Sequence, residues 1–192
     1  KNEKNILTDI SLEINKGEVI GVYGESGSGK STFVNLISGL LKPQTGTIEI
    51  NNENLENKKQ NWLASLGYVP QQVTLFNDTI ETNISFFENQ NQNEIFNKKI
   101  TKVLEQSNLK NLIESLPDKV NTIVGENAAK LSGGQVQRIG IARALFHDPE
   151  FIIFDESTSS LDLENEADIM RFVFSLKKHK TVIFISHKKE IL

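Results

Sequence analysis

Lys30 and Ser31 close the run Gly24-Glu25-Ser26-Gly27-Ser28-Gly29-Lys30-Ser31, which fits the pattern G-x-x-x-x-G-K-[ST] and is followed by Thr32. The chemistry of that pattern is the binding of a polyphosphate. Glycines at 24, 27 and 29 permit turns and close approaches that a Cβ forbids. Backbone N–H groups can then face phosphate oxygens, backed by the positive end of the next helix. Lys30 would reach the β- and γ-phosphates, and the Ser31 hydroxyl would complete a Mg²⁺ shell. The competing reading is a plain Gly/Ser surface loop. An apolar stretch before the run, Val19–Tyr23, and helical spacing after it argue for the phosphate loop.

Two other segments carry chemistry. Asp155-Glu156 ends the apolar run Phe151–Phe154, and two carboxylates there are costly unless they meet a cation or a polar site. Beside a phosphate loop, Asp155 would organise Mg²⁺ and Glu156 would polarise the water that attacks a γ-phosphate. Solvated acids at a strand end are the alternative. Leu131-Ser132-Gly133-Gly134-Gln135 opens a helical stretch, with Ser132 suited to the N-cap and two glycines baring backbone N–H groups. It reads either as an ordinary Gly-rich helix start or as a second anion-binding helix terminus.

Elements must hold these groups in place. Apolar alternation predicts a half-buried strand over Asp9–Ile14, and Lys16-Gly17 turns it into a strand over Glu18–Tyr23. Phe33, Leu36, Ile37 and Leu40 predict a helix after the phosphate loop, with Gly39 near its stop. Pro43–Gly46 reads as a turn, Thr47–Ile50 as a short strand, Asn51–Asn61 as a polar loop and Leu66–Val69 as a strand closed by Pro70. Residues 78–145 change texture. Phe96, Ile100, Val103 and Leu104 mark one helix face, and Leu109, Leu112, Ile113 and Leu116 another, so this stretch reads as an inserted helical subdomain. Strand character returns at Phe151–Phe154, then a helix near Asp162–Lys178 and a strand at Thr181–Ser186. The fold class is α/β with a mostly parallel sheet, whose ligands sit at the carboxyl ends of the strands. The 192 residues suit one domain made of a core (1–77 and 146–192) and the helical part (78–145).

Composition excludes several classes. A net charge of −4 gives no basic face for nucleic acid, and zero cysteines exclude disulfide frameworks and thiol–zinc sites. No apolar run approaches the roughly 20 residues that span a bilayer. The chain starts at Lys1 and ends soon after an apolar strand, as a piece of a longer protein would.

GESGSGKST, Gln71 after Tyr68-Val69-Pro70, LSGGQ, FIIFDE, SSLD and His187 together resemble the ordered motif set of ABC-type ATPases. The resemblance covers nearly the whole chain. It implies the P-loop ABC-ATPase fold, with a parallel core, a small antiparallel β portion and a helical subdomain. It implies ATP and Mg²⁺ as ligands, with residues 24 to 32 and Gln71 on ATP, and Ser31, Gln71 and Asp155 on Mg²⁺. Lys30, Glu156 and His187 would be catalytic: Glu156 as base and His187 as the switch histidine on the γ-phosphate. Leu131, Ser132, Gly133, Gly134 and Gln135 would be the signature segment that meets a partner subunit's ATP in a head-to-tail dimer, a homodimer here, with Ser132 and Gly134 on its γ-phosphate. Asp162 would cross that interface as the D-loop acid. Its other reading is a plain helix N-cap, and the two are compatible. His187 has the alternative of a solvated strand-end histidine, while His147 and His179 match no motif and read as surface residues.

Leu75–Ile80 with Asn83-Ile84, and Thr122–Asn127 ahead of LSGGQ, are similar to exporter segments that face a membrane domain. The implied protein is an exporter on the cytoplasmic face of a membrane, its transmembrane domain in the same chain. Glu126-Asn127 and the Gln71-Gln72 neighbourhood are closer to lipid-linked-oligosaccharide flippases than to peptide exporters. Ala128 departs from the usual Gly of its loop and Val136 from the usual basic residue, and the adenine-stacking aromatic would precede Lys1. Two other readings compete. A soluble ABC clamp on nucleic acid or ribosome needs a basic groove or tandem domains; a small-metabolite kinase leaves LSGGQ unused.

Overall fold

The computed structural model describes residues 6–88, 93–125, 131–158 and 162–189. In chain order the elements are β1 (Val19–Tyr23), α1 (Lys30–Ile37), β2 (Glu49–Ile50), β3 (Glu53–Asn54), α2 (Leu55–Ala64), β4 (Leu66–Val69), β5 (Asp78–Thr79) and α3 (Ile80–Ser85). There follow α4 (Glu94–Gln106), α5 (Lys110–Ser115), a 3₁₀ turn at Lys119–Asn121, β6 (Ile123–Val124), α6 (Gly133–Leu145), β7 (Phe151–Asp155), α7 (Leu163–Ser175) and β8 (Thr181–Ser186). Among the described residues the central sheet has four strands in the order β1-β8-β7-β4, all parallel. Two antiparallel pairs, β2-β3 and β5-β6, stand apart from it. The α/β class with a parallel core and small antiparallel parts is therefore as the sequence predicts.

Alternation along the strands builds two cores. Ile153, Ile183 and Ile185 point to one face and pack with Val34 of α1. Ile152, Phe154, Val182 and Phe184 point to the other, into a larger cluster with Ile139, Ile141 and Leu145 of α6 and Ile169 and Val173 of α7. A strand buried on both faces explains the unbroken apolar spelling of Phe151–Phe154. Full burial of each such side chain stabilises the fold by about 2 kcal/mol. The predicted face of α4 (Phe96, Ile100, Val103, Leu104) is buried in the larger cluster, with Leu109 and Ile113 beside it. Among the described residues no helix is long and apolar enough to cross a membrane.

Two expectations fail. Residues 9 to 14 form no strand: Ile10 and Leu12 are each 56 % exposed, and alternation that finds no pairing strand among the described residues does not make one. Residues 51 to 61 are not a loop. Asn54 caps α2 by accepting from the Glu56 N–H, Leu55 is buried, and Trp62 donates Nε1–H to the Ile37 carbonyl at 2.9 Å while its ring meets Phe151 at 5.0 Å. Those anchors outweigh the weak helix propensity of the asparagines. The pair β5-β6 inside the helical stretch was also invisible, because strands of two residues carry no period.

Candidate active site

Register brings the chemistry to one edge. Tyr23 pairs with Ser186, Asp155 with Ile185 and Val69 with Phe154, so four parallel strands end together. After them come the phosphate loop, Glu156, His187 and Gln71. Gly27 and Gly29 take φ of +80° and +96°, values at which a Cβ is strained. Gly29 caps α1, and the Ser28 N–H closes the turn on the Glu25 carbonyl at 3.2 Å. Glu25, Ser26, Ser28 and Ser31 are exposed and Thr32 half-buried. The Lys30 side chain, 9 % exposed, folds back: Nζ donates to the carbonyls of Gly24 (2.7 Å) and Glu25 (2.9 Å) and lies 3.2 Å from Glu156 Oε1.

Glu156 is the hub. Its φ of +47° is a left-handed value that costs a non-glycine residue about 1–2 kcal/mol, and its N–H is tied to the Ile185 carbonyl at 3.1 Å. Oε1 faces Lys30, and Oε2 accepts from Gln71 Nε2 at 3.3 Å and lies 3.6 Å from His187 Nδ1. Asp155 Oδ2 accepts from the Tyr68 hydroxyl at 2.8 Å. Burial first, and the hydrogen bond and charge of Asp155 next, push the Tyr68 pKa well above the ordinary phenol value, so the hydroxyl stays a donor. Among the described residues Asp155 pairs with no Lys, Arg or His. Asp155 is half-buried, and a carboxylate, the hydroxyl of Ser31 and the carboxamide of Gln71 are oxygen donors of the hard kind that suits Mg²⁺.

The Ser132 segment is built separately. Ser132 caps α6 in a capping box: its Oγ accepts from the Gln135 N–H at 3.3 Å, and Gln135 Oε1 accepts from the Ser132 N–H at 2.9 Å. Leu131 is half-buried, Ser132 and Gly133 are exposed, and Gly134 is buried. A Cβ on Gly134 would sit 2.9 Å from Asn165 Oδ1, so this glycine is needed for close approach. Asn165 in turn donates to Asp162, through N–H to Oδ1 (3.0 Å) and Nδ2 to Oδ2 (2.7 Å), so Asp162 is the N-cap of α7 and these bonds lower its pKa. Asn165 thus links the Asp162 cap of α7 to the Gly134 turn of α6. Ser159-Ser160-Leu161 and Glu126-Asn127-Ala128 lie outside the described residues. His147 and His179 are exposed, as expected.

Sequence reasoning missed the supports. Lys188 Nζ holds both oxygens of buried Glu166 at 3.1 Å, fastening the segment after His187 to α7. Helix α6 grips the chain on either side of Gln71: Gln137 donates to the Pro70 carbonyl at 3.4 Å and Arg143 to the Thr74 carbonyl at 3.2 Å. Arg143 also donates Nε–H to the Asn83 carbonyl (2.8 Å) and Nη2 to Asn83 Oδ1 (3.2 Å), and its pKa is lowered by burial. Buried Asn83 meanwhile bonds the backbone of Phe76 through both side-chain atoms. No local pattern announces these partners, which come from segments far apart in the chain. Arg143→Ala is expected to lower unfolding free energy by about 3 kcal/mol, with Arg143→Lys recovering part of it. Urea denaturation measures this, and a loss below about 1 kcal/mol would contradict the clamp.

The family described as ABC transporter matches residues 7–159. A toxin RTX-I translocation ATP-binding protein of Actinobacillus pleuropneumoniae is 44 % identical over 184 residues, 95 % of this chain and 26 % of that protein. An ATP-dependent lipid A-core flippase of Coxiella burnetii is 39 % identical over 188 residues, 97 % of this chain and 31 % of that protein. Among solved structures, a bacterial Atm1-family ABC exporter with ATP bound superposes with a TM-score of 0.84 at 33 % identity, over 100 % of this chain and 33 % of that one. The chain therefore spans a third or less of the length of these relatives. A phosphate loop, strand-end carboxylates and a glycine-faced helix start, in a chain that the family model matches over residues 7–159, make this protein a member of the ABC transporter family.

Proposed function

We propose that this chain is the motor of a membrane exporter: two copies pair head to tail around two ATP, and hydrolysis drives a substrate through or across a membrane. The observation that carries the reading is the split between its two phosphate-facing surfaces. Lys30, Glu156, Gln71 and His187 share one cluster, while the capped start of α6 bonds to itself and leaves Ser132 and Gly133 facing outward. A second copy supplies the use for that outward face. Its Ser132, Gly133 and Gly134 amides, at the positive end of a helix, close on the γ-phosphate held by Lys30, with Leu131 and Gln135 shaping the turn and Asp162 at the seam.

Within one site each residue has a task. The amides from Gly24 to Thr32 cradle the phosphates. Lys30 Nζ trades Glu156 for a phosphate oxygen, which frees the carboxylate to take a proton from water. Gln71 and His187, both against Oε2, orient Glu156 and the γ-phosphate. Mg²⁺, held by Ser31, Gln71 and Asp155, supplies neutralisation of the phosphate charge.

Residues 1–77 and 146–192 would then be the core and 78–145 the helical subdomain. A membrane domain fits against the exposed rings just beyond Gln71. Phe76, Phe86 and Phe87 are 40 %, 55 % and 55 % exposed, meet edge to face at 5.4 and 5.6 Å, and are backed by Arg143. Such a patch marks an interaction surface. The domain would work on the cytoplasmic side, where ATP is.

Complementation tests the shared sites. Lys30→Met and Gly134→Asp are each expected to be inactive alone. Mixed, they should regain turnover, because one of the two sites in a mixed dimer keeps both a native loop and a native helix start. Persistent inactivity of the mixture, with dimers present, would sink the head-to-tail arrangement.

A further inference from the structure

We propose that Tyr68 is a positioning residue for Asp155, its hydroxyl holding the carboxylate in the rotation at which it serves Mg²⁺. The inference rests on the Mg²⁺ role proposed above for Asp155. Strand β4 pairs in register with β7, Tyr68 opposite Ile153, and Ile153 belongs to the cluster under α1. Asp155, two residues on, stands on that same face, the face of the phosphate-loop helix. From Tyr68 the ring spans the diagonal along the strands, and its hydroxyl meets Oδ2 at 2.8 Å.

An aspartate carboxylate turns freely about its last bond. Fixing one oxygen fixes where the other faces, as partners of metal-ligating groups do elsewhere. A phenol is protonated throughout the neutral range, so at 2.8 Å from a carboxylate oxygen it donates. Tyr68 is 44 % exposed, so its contribution to packing is modest and the loss of one oxygen leaves the fold intact. A tyrosine kept only for its ring would be replaceable by phenylalanine without consequence for metal.

Mn²⁺ reports this directly. The purified full chain, saturated with a non-hydrolysable ATP analogue, is titrated with Mn²⁺ while free ion is read by electron paramagnetic resonance. Tyr68→Phe is expected to weaken Mn²⁺ binding about three- to tenfold, with affinity for the analogue in EDTA unchanged. Asp155→Asn should weaken it further, and Tyr68→Phe should then add nothing. Tyr68→Ile, which also removes the ring, should match Tyr68→Phe. Native Mn²⁺ affinity in Tyr68→Phe beside a weakened Asp155→Asn overturns the role of Tyr68 and leaves that of Asp155 standing. Native affinity in both variants overturns the Mg²⁺ reading and the inference together. A Tyr68→Phe loss that appears equally in EDTA, or persists in Asp155→Asn, also overturns it.

Discussion

Glu156→Gln is expected to cut ATP turnover about 10³-fold while ATP stays bound, because it removes the proton acceptor and little else. The change keeps shape, and a glutamine oxygen can still accept from Lys30. Charge is what differs. Glu156 now holds Lys30 at 3.2 Å in a site where their side chains are 20 % and 9 % exposed, so an incoming phosphate must compete with it for the ammonium. The neutral variant lifts that competition, and affinity for ATP should stay level or rise by up to about fivefold, worth about 1 kcal/mol. With hydrolysis blocked, the ATP-bound dimer should accumulate and be seen by light scattering. Turnover within tenfold of native would remove Glu156 as the base and leave only a structural partner of Lys30.

Lys30→Met should act at the earlier step, weakening nucleotide binding by about 10- to 100-fold, the loss of one or two charge-assisted hydrogen bonds. Part of the effect is local. Lys30 straps the loop by donating to the Gly24 and Glu25 carbonyls, so the variant frees the turn that aims the amides. Lys30→Arg keeps the charge yet should recover little, since a planar fork cannot make three diverging bonds to two carbonyls and an anion. Titration with a fluorescent ATP analogue checks both, and binding within threefold of native in Lys30→Met would exclude the phosphate role. Thermal stability should move less than affinity, because the loop lies at the surface.

Much of the fold was legible where burial imposed a period. The unbroken apolar spelling of Phe151–Phe154 marked a strand covered on both faces, and the spacing of Phe96, Ile100, Val103 and Leu104 marked the inner stripe of α4. The same logic misfired at Asp9–Ile14, whose alternation finds no neighbouring strand among the described residues, and at Asn51–Asn61, where polar spelling hid a helix pinned by Leu55 and Trp62. Cap chemistry was legible as well: Ser132 and Asp162 accept from the N–H groups three residues on, a contact fixed by the local chain.

What chain order alone could establish is the set of short-range motifs, because a phosphate loop, a capping box and a strand-end acid pair are specified by adjacent residues. It could not establish who meets whom. Gln71 and Glu156 touch across 85 residues and Tyr68 and Asp155 across 87, through the parallel register of β4 and β7. Lys188 on Glu166 and Arg143 on Thr74 depend likewise on how helices settle against the sheet. Such contacts follow from burial summed over the whole core, and no window of neighbouring residues contains that sum.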